Sequence, residues 1–116
     1  MPTAPKLKEP KTKVVFRKWK KGFPPTNYGK GVIIAIFPEV GTSNEHPGES
    51  ESYEHIGQHG GADIQHVIRN TALAKPREYA DLKKELQERG YRLDVKKKIT
   101  RAMDEARFKT IGWGQR

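Results

Sequence analysis

Apolar and polar positions change period several times along the chain, and each change marks a predicted element. KVVFRKWK, residues 13 to 20, alternates around Val14 and Phe16 and predicts a first strand. GVIIAIF, 31 to 37, is β-branched and almost continuously apolar; it predicts a central strand that Pro38 closes. SYEHIG, 52 to 57, resumes a period of two, with Tyr53 and His55 on one face and Glu54 and Ile56 on the other. IQHVIRNT, 64 to 71, reads as another short strand, with a helix beginning in ADIQHVIRN as the competing reading.

The period then lengthens. PREYADLKKELQERG places Tyr79, Leu82 and Leu86 at helical spacing and predicts a helix over 76 to 89. Pro76 suits its first turn, Glu78 favours the N-terminal dipole and Gly90 suits the C-terminal cap. YRLDVKK alternates again, with Tyr91, Leu93 and Val95 inward, as a last strand. ITRAMDEARFKTIG predicts a second helix with Ile99, Met103 and Ala106 on one side. The connecting segments KGFPPTNYGKG, EVGTSNEHPGESE and GQHGGAD hold the turn-forming residues. The sum is an α+β domain: a mostly antiparallel sheet of four to five strands, one helix packed on a face, and a C-terminal helix.

Composition divides the chain further. Residues 1 to 12 hold three prolines and three lysines with little that is apolar, and are expected to form a flexible basic arm. Residues 13 to 98 are the expected compact domain, and 99 to 116 a basic C-terminal helix and tail. At 116 residues and 34% hydrophobic content the core is small. The absence of cysteine excludes disulfides, thiolate metal sites and a cysteine nucleophile. The longest apolar run, residues 32 to 37, is too short to span a bilayer, and MPTAPKLKEPKTK lacks the apolar core of a signal peptide. A cytoplasmic protein without a membrane anchor is expected.

The net charge of +9 is unevenly spread. Residues 1 to 30 carry nine Lys or Arg and one Glu. Residues 31 to 66 carry six acids and no Lys or Arg; 67 to 116 carry fourteen basic and seven acidic groups. Two basic ends flank an acidic waist. The ends favour polyanions, and the waist repels them unless it points elsewhere.

SYEHIGQHGGADIQH, 52 to 66, concentrates three of the four histidines among glycines and acids. His55 and His59, with Glu54, Asp63 and His66, are competent ligands for a zinc-like ion. Gly57, Gly60 and Gly61 oppose the helix that would give the four-residue spacing its meaning, and Ile56 stands where the metalloprotease pattern needs glutamate. No metal and no cofactor are expected. IGQHGGADI contains the I-G-x-x-G of KH-domain loops. Gln58 and His59 replace their basic residues, however, and Asp63 stands at the next apolar position. Ser52, His55 and Asp63 have the residue types of a triad but no nucleophile elbow. Tyr53, His55, His59, Asp63 and His66 are therefore candidates for a ligand-binding loop rather than a catalyst.

FRKWKKG, then VIIAIFPE, then SYEHIGQHGGAD resemble a family of small, uncharacterised bacterial and phage proteins carrying an FRK, an apolar strand ending in FPE and a Y-x-H-x-G-Q-H-G segment. The resemblance spans roughly residues 14 to 96. It implies no activity and no site residues.

The basic ends interleave cations with aromatics, the composition that contacts phosphates and stacks on bases. Lys11, Lys13, Arg17, Lys18, Trp19, Lys20 and Lys21 are candidates at one end, and Lys96, Lys97, Lys98, Arg101 and Trp113 at the other. The expected function is a non-enzymatic basic accessory protein that binds nucleic acid or a nucleoprotein assembly through its ends. The alternatives are a ligand-binding or catalytic domain using the loop 53 to 66, or a phage-type protein-interaction module. No helix-turn-helix, zinc-finger or RRM signature supports sequence-specific readout.

Overall fold

The computed structural model describes residues 11–20, 32–54 and 58–112. In chain order they form β1 (Thr12–Trp19), β2 (Ile33–Gly41), β3 (Glu49–Glu54), β4 (Gln58–Asp63), α1 (Ile64–Asn70), β5 (Thr71–Leu73), α2 (Pro76–Glu88), β6 (Leu93–Lys96) and α3 (Arg101–Thr110). The architecture is α+β, with six strands in one sheet against the four to five expected.

The first four strands form an antiparallel meander, in the spatial order β4-β3-β2-β1. Beyond β1, two short strands share its free edge. β5 runs antiparallel beside Arg17–Trp19, and β6 runs parallel beside Thr12–Val15. Neither is long enough to cover β1 alone.

Apolar residues alternate to both faces of this sheet, and both faces are covered. Val14, Phe16, Ala35, Phe37 and Tyr53 point to one side, where Leu82 and Leu86 of α2 close over them. Trp19, Ile34 and Ile36 point to the other, against Ile64 and Val67 of α1, with Ile99 at the approach to α3 packed beside them. The apolar run at 32–37 already implies this arrangement. A strand with one wet face alternates, whereas one buried on both faces reads as continuous.

Three elements depart from expectation. β2 runs through Pro38 to Gly41 rather than closing at the proline. Residues 64–70 are helical, so the competing reading is the correct one. Asp63 caps the helix by accepting from the His66 backbone N–H at 3.3 Å. QHGGAD is a strand rather than a break; it is held by its register with β3, from Glu54↔Gln58 to Glu49↔Asp63. The C-terminal helix forms as expected, with Met103 on its packed side. Met103 and Arg107 are buried, and the Arg107 guanidinium donates to the carbonyls of Pro38 (2.9 Å) and Pro47 (3.0 Å) while pairing with Asp104 at 2.9 Å. Gly41 permits this approach: a Cβ there would lie 2.4 Å from Ile111 Cγ2.

The other helix signals hold. Pro76 opens α2, and the Glu78 carboxylate accepts from the Lys75 N–H at 2.8 Å. Gly90 follows its last turn with φ of 104°. Thr100 caps α3 by accepting from the Met103 N–H at 3.2 Å. The expected arm at 1–12 lies outside the described residues up to position 10; Lys11 leads into β1, and Thr12 is its first residue.

Candidate functional site

The sheet order separates the charges that alternate along the chain. The acidic waist supplies β3 and β4 at one edge, with Glu49, Glu51, Glu54 and Asp63 and no Lys or Arg. The basic segments supply β1 and β6 at the other side, where Lys11, Lys13, Arg17, Lys18, Lys20, Arg92, Lys96, Lys97 and Lys98 outnumber the nearby acids Asp94, Glu39 and Glu78. β2 lies between the two groups. An anion approaching the β1–β6 edge therefore meets cations without crossing the waist.

Side-chain partners sort the predicted basic residues. Arg17 is committed to the fold. Its Nε donates to Thr71 Oγ1 at 2.7 Å and one Nη to the Thr71 carbonyl at 2.9 Å, while burial pulls its pKa below the ordinary value. Thr71 in turn donates to the Val67 carbonyl at 2.6 Å, so this chain of bonds fastens α1 and β5 to β1. Lys13 pairs with Glu39 at 3.1 Å, and Lys18 pairs with Glu78. Lys96 reaches Asp94 at 3.4 Å, and Arg101 reaches Glu105 at 3.6 Å on an open surface. Lys11, Lys20, Lys97 and Lys98 are exposed. Lys21 and Trp113 lie outside the described residues.

Two hollows meet at this edge. One, of about 420 Å³, lies beside α3 and is lined by Lys13, Glu39, Lys96, Lys97, Lys98, Thr100, Ala102 and Met103. The other, of about 460 Å³, is a notch between the ends of β5 and β6, lined by Phe16, Leu73, Ala74, Lys75, Pro76, Tyr79, Val95, Lys96 and Lys97. Lys96 and Lys97 border both, so they sit where the two faces of the sheet meet. The notch is mostly apolar, and its charged lining residues are all lysines. Sequence reading missed Lys75 and Tyr79 here, because only the topology brings α2 beside the β5–β6 gap.

The histidine–glycine stretch divides between two places. His66 and Asp63 border an open cleft of about 520 Å³ on the α1 face, together with Trp19, Ile34, Ser52, Glu54, Gly60, Gly61, Ala62 and Val67. The Trp19 indole N–H donates to Glu54 Oε2 at 3.0 Å, and its ring centre lies 6.2 Å from that of His66. Trp19 is thus 8% exposed and turned toward the acidic side of the molecule, away from the basic edge. Tyr53 lies on the opposite face, fully buried. Its hydroxyl donates to Glu85, which raises its pKa, and the Arg89 guanidinium sits 5.2 Å from its ring centre. Alternation points Tyr53 into the α2 core, away from the cleft that His66 and Asp63 border. His55 lies outside the described residues, and His59 pairs with Tyr53 through the backbone. Among the described residues no three His, Asp or Glu side chains converge as metal ligands. The cleft's charged lining residues are Glu54 and Asp63, a poor setting for phosphate.

No family model matches the chain, and no curated protein or solved structure shows significant similarity to it. Among the described residues, no helix is long and apolar enough to cross a membrane.

Proposed function

We propose that this protein binds nucleic acid without sequence readout, along the edge formed by β1 and β6. One observation carries this reading: the fold places the acidic waist at one edge of the sheet and gathers the lysines of both basic segments at the other. Lys97 and Lys98 are exposed there, and Lys96 lies between the two hollows. Such a row neutralises successive phosphates and releases counterions. The sequence carries no motif of a groove-reading helix, and in this reading phosphate contact and stacking supply the affinity.

The reading moves the interface within the set of predicted residues. Arg17, Lys18 and Trp19 are engaged within the fold, and the Lys96–Lys98 run becomes its centre. Fluorescence anisotropy of a labelled single-stranded oligonucleotide tests it. Affinity is expected to fall about tenfold or more between 50 and 200 mM salt, as it does where several phosphate contacts are made. Glu54→Gln and His66→Ala, both in the cleft, should leave affinity nearly unchanged. Salt-independent binding, or loss of binding in either cleft variant, would overturn the assignment.

A further inference from the structure

We infer that the notch between β5 and β6 receives an unpaired base of a single-stranded nucleic acid while the lysines at its rim hold the flanking phosphates. This rests on the nucleic-acid reading above and adds a specific seat to it. The notch exists because β5 and β6 each pair with only part of the β1 edge and leave a gap between them. Its aromatic surface is the half-buried ring of Tyr79, which lies over the buried Phe16. The rings of Phe16 and Tyr79 stack with centres 4.3 Å apart and planes 12° apart, and both border the notch.

Leu73 forms a wall and is 41% exposed, so its side chain is open to a ligand in the notch. A volume of about 460 Å³ falls in the range of small-ligand sites and is ample for one base. The charge around the notch selects the occupant. Lys75, Lys96 and Lys97 border it, and among the described residues no Asp or Glu does. An apolar hollow with the Tyr79 ring in its lining and lysines at its rim fits a ligand that is aromatic in its middle and anionic at its ends. A nucleotide within a strand has that form, and a base inside a duplex cannot present it without being unpaired.

The test separates base from phosphate. Wild-type protein is titrated with oligothymidylate and with an abasic oligomer of equal length and phosphate number. Oligothymidylate should bind about tenfold more tightly, the fold-change equivalent to about 1.4 kcal/mol and within the range of one stacked base. Leu73→Glu, which sets a carboxylate on the exposed wall, should erase that preference. Tyr79→Leu, which keeps apolar bulk but removes the ring, should reduce it, with thermal unfolding confirming that both variants fold. Equal binding of the two oligomers would overturn the base seat and leave the phosphate reading standing. Binding of neither would overturn both. A preference that survives both variants would place the base elsewhere and reject the notch.

Discussion

Arg107 shows how far a residue's role can lie from its type. In the sequence it is one cation of a basic C-terminal helix; in the fold it is 3% exposed and holds two backbone carbonyls and Asp104. Hydrogen bonds from a charged donor contribute more than neutral ones, and their loss leaves buried acceptors unpaired. Arg107→Ala is therefore expected to cost about 3 kcal/mol, read from the urea midpoint. Arg107→Lys should recover little, because an ammonium cannot span both carbonyls as the fork does. A loss below about 1 kcal/mol for the alanine variant would show that α3 docks without this anchor. Gly41→Ala tests the same junction from the other side. The new methyl group would overlap Ile111, and a cost of about 1–3 kcal/mol is expected from overpacking.

At the scale of elements, α2 is the most legible part of the chain. Its apolar spacing, opening proline and closing glycine agree with one another, and Leu82 and Leu86 are buried where the pattern places them. Leu82→Ala should cost roughly 2–5 kcal/mol, as a buried leucine does. α2 is also tied to β1 through Glu78. A hydrogen bond from Lys18, and then one from the Lys75 N–H, hold its carboxyl below the ordinary value of 4.5. A lowered folded pKa stabilises above the unfolded value and is lost as pH falls through the folded one. Stability should accordingly drop as pH falls below 4.5, and Glu78→Gln should flatten that drop in acid titrations followed by circular dichroism.

Other elements were illegible for physical reasons. QHGGAD has no apolar alternation, and its strand conformation comes from pairing with β3 rather than from its own residues. IQHVIRN is seven residues long, too short for its period to separate helix from strand, and Asp63 as its cap was the overlooked signal. The face that each aromatic takes was half legible. Alternation separates Tyr53 from Glu54, but only the registry of three strands shows that Trp19 meets Glu54 across the sheet.

For the whole molecule, the order of strands converts a charge pattern along the chain into one across space. Basic, acidic and basic segments in sequence become one acidic and one basic edge, because β1 is flanked by β2 on one side and by β5 and β6 on the other. The candidate residues at 96–98 were legible as a lysine run. Their union with Lys13 and Lys75 was not, since parallel pairing between the first and last strands has no local signature. The most direct test is the salt dependence of single-strand binding in wild type and in a Lys96→Gln, Lys97→Gln, Lys98→Gln triple variant. Each phosphate contact on a single strand contributes about 0.7 to the slope of log affinity against log salt, so the triple variant should lose up to about 2. It should also bind unrelated sequences uniformly more weakly. A slope equal to that of wild type would contradict a phosphate-binding edge centred on β6.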